Sequence, residues 1–244
     1  MKKQLSVFNL MATSSIYNIT ALLGIMVIIE FFLFRRAMLA GPDPGTGTFH
    51  IEYVFDHSLA FWIFSIALVI LTVLLCLTGY ETSSKQGYTL MRLSISEKNV
   101  FILQALYNTL CYFLLWSIQL LIVFILGFYF VKNAPEEYVT NQTLFLAFYR
   151  NDFLHALLPF EDIAIWAKNL VTFLAFGICS SGFTYAQRRG KRGFELLLLL
   201  GAAIIFFAAP LGEYQRTIFS IVIQLFCIVV TLVRILTKEE SNGN

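Results

Sequence analysis

Residues 100–131 read VFILQALYNTLCYFLLWSIQLLIVFILGFYFV, a run with no Asp, Glu, Lys or Arg anywhere in it. A helix that crosses the hydrocarbon core of a bilayer needs about 20 apolar residues. This run is long enough to cross and to project beyond the membrane on one side. A water-facing helix keeps a polar face opposite its apolar stripe, and no such face exists here. The surroundings repeat the pattern. Further apolar stretches cover Tyr17–Phe34, Leu59–Thr78, Ile163–Ala186, Phe194–Ala209 and Ile218–Leu236. The Phe194–Ala209 stretch is the shortest and stops at Pro210. The expected fold is an all-α integral membrane protein, one transmembrane domain over residues 1–244 with six transmembrane helices.

Composition agrees. The 244 residues are 58% hydrophobic and 13% charged, with a mean hydropathy of +0.75. Soluble domains carry roughly a quarter charged residues, so there is too little charge to dress a water-facing surface. The 25 Phe and 11 Tyr suit lipid-facing helices and interface belts. A net charge of +2 is too small to point to nucleic acid. Cys76, Cys111, Cys179 and Cys227 lie far apart inside apolar stretches, without zinc or disulfide spacing. Lys2 and Lys3 precede the first apolar run, but that run starts after a polar stretch through Asn18 and ends at Arg35 and Arg36 without a small-x-small site. It reads as a retained span, not a cleaved leader.

Lys and Arg near span ends set orientation. Six spans put both termini on one side, together with Lys2, Lys3, Lys85, Arg92, Lys98, Arg188, Arg189, Lys191, Arg192, Arg234 and Lys238. Arg35, Arg36, Lys132, Arg150, Lys168 and Arg216 fall opposite, with most of the acids and all three histidines. The termini are therefore expected in the cytoplasm. Two longer connections lie outside: 40–58, with its Gly-Pro-Asp-Pro-Gly-Thr-Gly run of turn formers, and 132–162. The second holds apolar runs at Leu144–Phe148 and Phe153–Leu158, enough for short interfacial helices.

The cytoplasmic link between spans two and three is the most informative loop. After Gly87 it reads Tyr88, Thr89, Leu90, Met91, Arg92, Leu93, Ser94, Ile95, Ser96, Glu97, Lys98, Asn99. Thr89–Leu93 mixes apolar and basic residues over one or two turns, suited to lying across the membrane face. Ser96 is placed as an N-cap and Glu97 in the first turn, where the helix dipole favours an acid. A transverse turn followed directly by a newly capped span can pass a push from a cytoplasmic partner into the membrane. The stretch from Thr89 to Gln104 resembles the corresponding link in permease subunits of ABC exporters of the ABC-2 type. That resemblance implies that segment 87–99 is the coupling helix on which an ATPase subunit docks. It also implies an amphipathic interfacial helix at the N-terminus, where Leu5, Val7, Phe8, Leu10 and Met11 stand. Ile95 occupies a position where many members have proline, and only Leu211–Arg216 separates the last two spans, where better-known members carry a re-entrant hairpin.

The resemblance implies a multi-pass protein of a bacterial plasma membrane, working with two ATPase subunits and a second permease subunit, identical or homologous. No G-x-x-x-x-G-K-[ST] loop occurs in the chain. ATP and Mg are therefore expected on the partner, with no cofactor bound here and no enzymatic constellation of its own. Peptides or other small hydrophobic substrates are the expected cargo, for export or immunity. The competing class is a membrane protein that does not use ATP, such as a secondary carrier or an assembly subunit.

Other residues are candidates. Glu30 is the one acid well inside a span, and intramembrane ionisable groups are functional candidates by default. Gln104, Asn108 and Gln119 are amides within the third span, placed either to pack helices or to line a pathway or dimer interface; Gln224 is another in the sixth. Gly177, Ser180, Ser181 and Gly182 form a small-residue patch suited to close helix packing. Lys168 and Arg234 lie near span ends, from which long cations reach the headgroups. Arg188, Arg189, Lys191 and Arg192 would be drawn to anionic inner-leaflet lipid at about 1 kcal/mol each.

Overall fold

The computed structural model describes residues 2–41, 49–80, 97–140, 142–160, 162–187, 193–208 and 213–242. Among the described residues all regular structure is helical. Five helices are long and apolar enough to cross a membrane. These are α1 (Lys2–Leu39), α3 (Ala60–Tyr80), α4 (Glu97–Asn133), α7 (Ile163–Gln187) and α9 (Tyr214–Asn242). Shorter helices are α2 (Ile51–His57), α5 (Thr143–Arg150), α6 (Asp152–Leu157) and α8 (Glu195–Phe206).

α1 begins at Lys2 and runs unbroken into the first apolar stretch, so the amphipathic N-terminal residues and the span are one helix. No Gly or Pro interrupts residues 2–23. The intervening polar residues stay helical because their hydroxyls bond back to the preceding turn: Thr13 to Asn9 O, Ser15 to Met11 O and Thr20 to Ile16 O. Over its 37 residues, at about 1.5 Å each, α4 extends roughly 55 Å. That is well beyond the roughly 30 Å of a hydrocarbon core. α8 has 12 residues, roughly 18 Å of helix.

Pairings between helices fix their directions. Ser15 meets Tyr107 and Glu30 meets Gln119, so α1 and α4 run parallel. Gln104 meets Thr184 and Trp116 meets Trp166 edge-on, so α4 and α7 are antiparallel. Gln224 meets Thr172 and Thr231 meets Cys179, so α7 and α9 are parallel. Two parallel neighbours require the chain between them to come back. α8 does this: Glu195 at its start pairs with Arg234 of α9, and Phe207 just past its end accepts from Lys168 of α7. α7 is the central helix, packed on α4 and α9 and also against α3 and α8.

Stripes such as Ile25, Ile28, Phe32 on α1 and Ile218, Val222, Val229 on α9 remain exposed on the outside of the bundle. Apolar exposure on this scale is what a lipid-facing surface requires. One end of the bundle is covered by α2, α5 and α6. Ile51, Val54 and Phe55 of α2, Ala147 and Phe148 of α5, and Leu154 and Leu157 of α6 are buried. The connections expected to lie on the outer side thus fold into the core.

Candidate functional site

A seam of polar side chains runs through the interior, and most of it follows one pattern. A hydroxyl on one helix donates to a carbonyl in its own preceding turn, which leaves its oxygen free to accept a long donor from the neighbouring helix. Thr184 donates to Ser181 O at 2.8 Å and accepts Gln104 Nε2 at 3.0 Å. Ser180 donates to Gly177 O and accepts Asn108 Nδ2 at 2.8 Å. Thr172 donates to Lys168 O and accepts Gln224 Nε2, also at 2.8 Å. Thr72 donates to Leu68 O and accepts the Tyr112 hydroxyl at 3.0 Å. Ser181 instead donates across to Phe101 O.

Gln104 and Asn108 are therefore committed inside a single chain, at 5% and 2% exposure. Their partners Ser180 and Thr184 sit on the small-residue face of α7. Gly177 lets α4 come close enough for the bonds to form. The hydroxyl partners Thr72, Thr172 and Thr184 carry no sequence signal of their own, since any Ser or Thr in a helix can bond back to its own turn.

Glu30 and Gln119 come together across α1 and α4, although 89 residues apart. Gln119 Nε2 donates to Glu30 Oε2 at 3.0 Å, and both side chains are buried. Lys168 is 2% exposed instead of extending to a headgroup. Its ammonium donates to Phe207 O at 2.8 Å and lies 5.5 Å from that ring's centroid. Arg234 pairs with Glu195 at 3.0 Å near the other end, tying α9 to α8.

The cap is docked through backbone groups that a short helix leaves open. α6 ends with unpaired carbonyls. The bundle supplies donors: Asn169 Nδ2 to Ala156 O at 2.8 Å, Trp116 Nε1 to Leu157 O at 3.2 Å and Trp166 Nε1 to Pro159 O at 2.6 Å. Asn151 caps the start of α6, accepting from Leu154 N at 3.0 Å, and donates to Asp56 Oδ1 at 2.7 Å. Burial pushes the Asp56 carboxyl above its ordinary range, against the opposing pull of Asn151 and His57. Leu59, which joins α2 to α3, has φ +57, a left-handed conformation costly for a bulky side chain.

Two clefts open at the capped end. One of about 400 Å³ is lined by Arg35, Phe49, Tyr129, Asn133 and Tyr138, among others. The other, about 310 Å³, has Asp56, Arg150, Asn151, Asp152 and Trp62 in its wall. Among the described residues no group of His, Cys, Asp and Glu could hold a metal ion.

Of the proposed coupling segment, Tyr88, Thr89, Leu90, Met91, Arg92, Leu93, Ser94, Ile95 and Ser96 lie outside the described residues. Glu97 is the first residue of α4, and Lys98 next to it is exposed. Arg188, Arg189, Lys191 and Arg192 also lie outside the described residues. Compared with known proteins, the chain matches no protein-family model, no curated protein and no solved structure.

Proposed function

We propose that this chain is the membrane-spanning subunit of an ATP-driven exporter of the ABC-2 type. It crosses the membrane six times with both termini in the cytoplasm, α8 making the fifth crossing. The first turns of α1 lie at the inner interface. The parallel packing of α7 and α9, with α8 running back between them, supports counting α8 as a crossing.

The observation that carries the functional reading is the arrangement of helix ends. α3 and α7 end, and α4 and α8 start, at the end of the bundle opposite the cap. The sequence between these ends carries Lys85, Arg92, Arg188, Arg189, Lys191 and Arg192, and Lys98 stands in the first turn of α4. A helix of roughly 55 Å begins at Glu97, within segment 87–99, and reaches the cap. A displacement at its first turn would move residues along the whole bundle. In this reading two ATPase subunits carry ATP and Mg, and dock on segments 87–99 of two permease chains. The cargo is a peptide or another small hydrophobic molecule.

Co-purification of the full chain with an ATPase encoded beside it, followed by nucleotide-dependent export from reconstituted vesicles, tests the proposal. Arg92→Glu and Glu97→Lys are expected to abolish ATPase-linked export while the chain still inserts and folds. A chain that never retains an ATPase, and in which both reversals are silent, would instead be a carrier or an assembly subunit.

A further inference from the structure

Glu30 and Gln119 depart from the pattern that the rest of the seam follows. Gln104, Asn108, Tyr112 and Gln224 each reach a hydroxyl already bonded to its own helix. Gln119 reaches a carboxyl group. The pair is 0% and 1% exposed, and its one hydrogen bond, Nε2 to Oε2 at 3.0 Å, uses one arm of each group. The other arms, Glu30 Oε1 and Gln119 Oε1, are both buried acceptors without a partner. Unpartnered amide oxygens also occur on Asn169 and Gln224, but those amides donate to neutral oxygens. Among the described residues the unpartnered atoms that can acquire a hydrogen are Glu30 Oε1 and His155 Nδ1, and of the two Glu30 alone already bonds to a residue with an unpartnered acceptor of its own, Gln119 Oε1.

We infer that Glu30 and Gln119 form a proton-binding site within the membrane bundle. Amide and carboxyl groups are both planar forks, so one bond between them leaves the second arms within a side-chain rotation of each other. A proton on Glu30 Oε1 turns that oxygen into a donor toward Gln119 Oε1. The two groups then close a cyclic acid–amide pair with two opposed hydrogen bonds, and both unpartnered atoms are satisfied at once. An ionised carboxylate would leave Glu30 Oε1 and Gln119 Oε1 bare and its charge uncompensated by the single amide, a costly arrangement in an apolar interior. The proton acts as a ligand of the α1–α4 contact. It allows an acid to sit between two apolar helices and sets their register at that depth. The inference is independent of what the chain transports.

Infrared spectroscopy of the full chain in lipid at neutral pH tests it. Wild type is expected to show the carbonyl stretch of a protonated carboxyl group, absent from Glu30→Gln. Glutamate labelled with ¹³C should shift that band in wild type, which gives the answer even if a variant fails to fold. Glu30→Gln replaces the acid by an amide that can close the same two bonds, so its thermal unfolding should match wild type. Gln119→Leu strands the acid and should lower the unfolding temperature by several degrees. The inference is overturned by a wild-type spectrum without the protonated band. It is equally overturned by stability that rises with added Na⁺ or K⁺ and loses that dependence in Glu30→Gln, the mark of a bound cation.

Discussion

Gly177→Ala probes the closest approach in the bundle. The added Cβ would overlap Thr109 Oγ1 and stand 2.8 Å from Ala105 O and 2.9 Å from Thr109 Cβ. Comfortable contact between heavy atoms needs about 3.5–4.0 Å, so α4 and α7 would have to part by roughly 0.7 Å. The Ala105 carbonyl is fixed in its helix and already accepts the Thr109 hydroxyl. Parting the helices stretches the bonds of Gln104 and Asn108 to α7. Overpacking of this kind costs about 1–3 kcal/mol, and two interhelical bonds in a membrane contribute about 0.6 kcal/mol each. Alanine returns about 1 kcal/mol of helix propensity. The net loss is about 1–3 kcal/mol, or roughly 3–10 °C in unfolding temperature for a chain of this size. Thermal unfolding in detergent, followed by tryptophan fluorescence, measures it. Gly24→Ala and Gly201→Ala are the controls, because nothing lies within 4 Å of either added methyl; both should be neutral or slightly stabilising. Thr109→Ala in the Gly177→Ala background should recover part of the loss. If Gly177→Ala unfolds with the controls, the seam is not the tight element described here.

Two predictions concern the cap. Asn151→Ala removes the N-cap of α6, worth about 1 kcal/mol, and a bond to a carboxylate worth about 1.5–3 kcal/mol. It should destabilise by about 2.5–4 kcal/mol in the same assay, and Asn151→Asp, which faces Asp56 with a second acid, should not rescue it. Because burial raises the Asp56 carboxyl, its contribution to stability is present below the ordinary carboxylate range and lost as pH rises through the raised value. Asp56→Asn should therefore flatten the dependence of unfolding temperature on pH between acidic and neutral conditions, and be no less stable than wild type at neutral pH. A variant that keeps the wild-type slope would place the slope elsewhere.

The long helices were legible because apolar length is a property of the chain itself. Their ends were less so: α1 continues to Lys2, since back-bonded hydroxyls at Thr13, Ser15 and Thr20 keep a polar stretch helical. The apolar run at 194–209 yields only twelve helical residues, and its direction follows from partners in α7 and α9 that no local pattern reveals. α2 was hidden behind a stretch of turn formers, although Ile51, Val54 and Phe55 stand at helical spacing. The candidate site divides in the same way. Gln104, Asn108, Gln119 and Glu30 stand out as polar residues in apolar runs, but which residue meets which is set by helix order and depth. The meeting of Glu30 with Gln119 depends on parallel packing between helices separated by two others in sequence.

The docked cap bears on where a solute could travel. Phe153 of the cap clusters with Phe64 and Phe207 of the bundle, ring centroids 5.1–6.1 Å apart, and Trp116 packs against Phe173 and edge-on against Trp166. These aromatic rings join α6 to the bundle. Under the proposed exporter reading, a route for cargo is better sought along the flank of the bundle, where a second copy could form the opposite wall and neither cap need open.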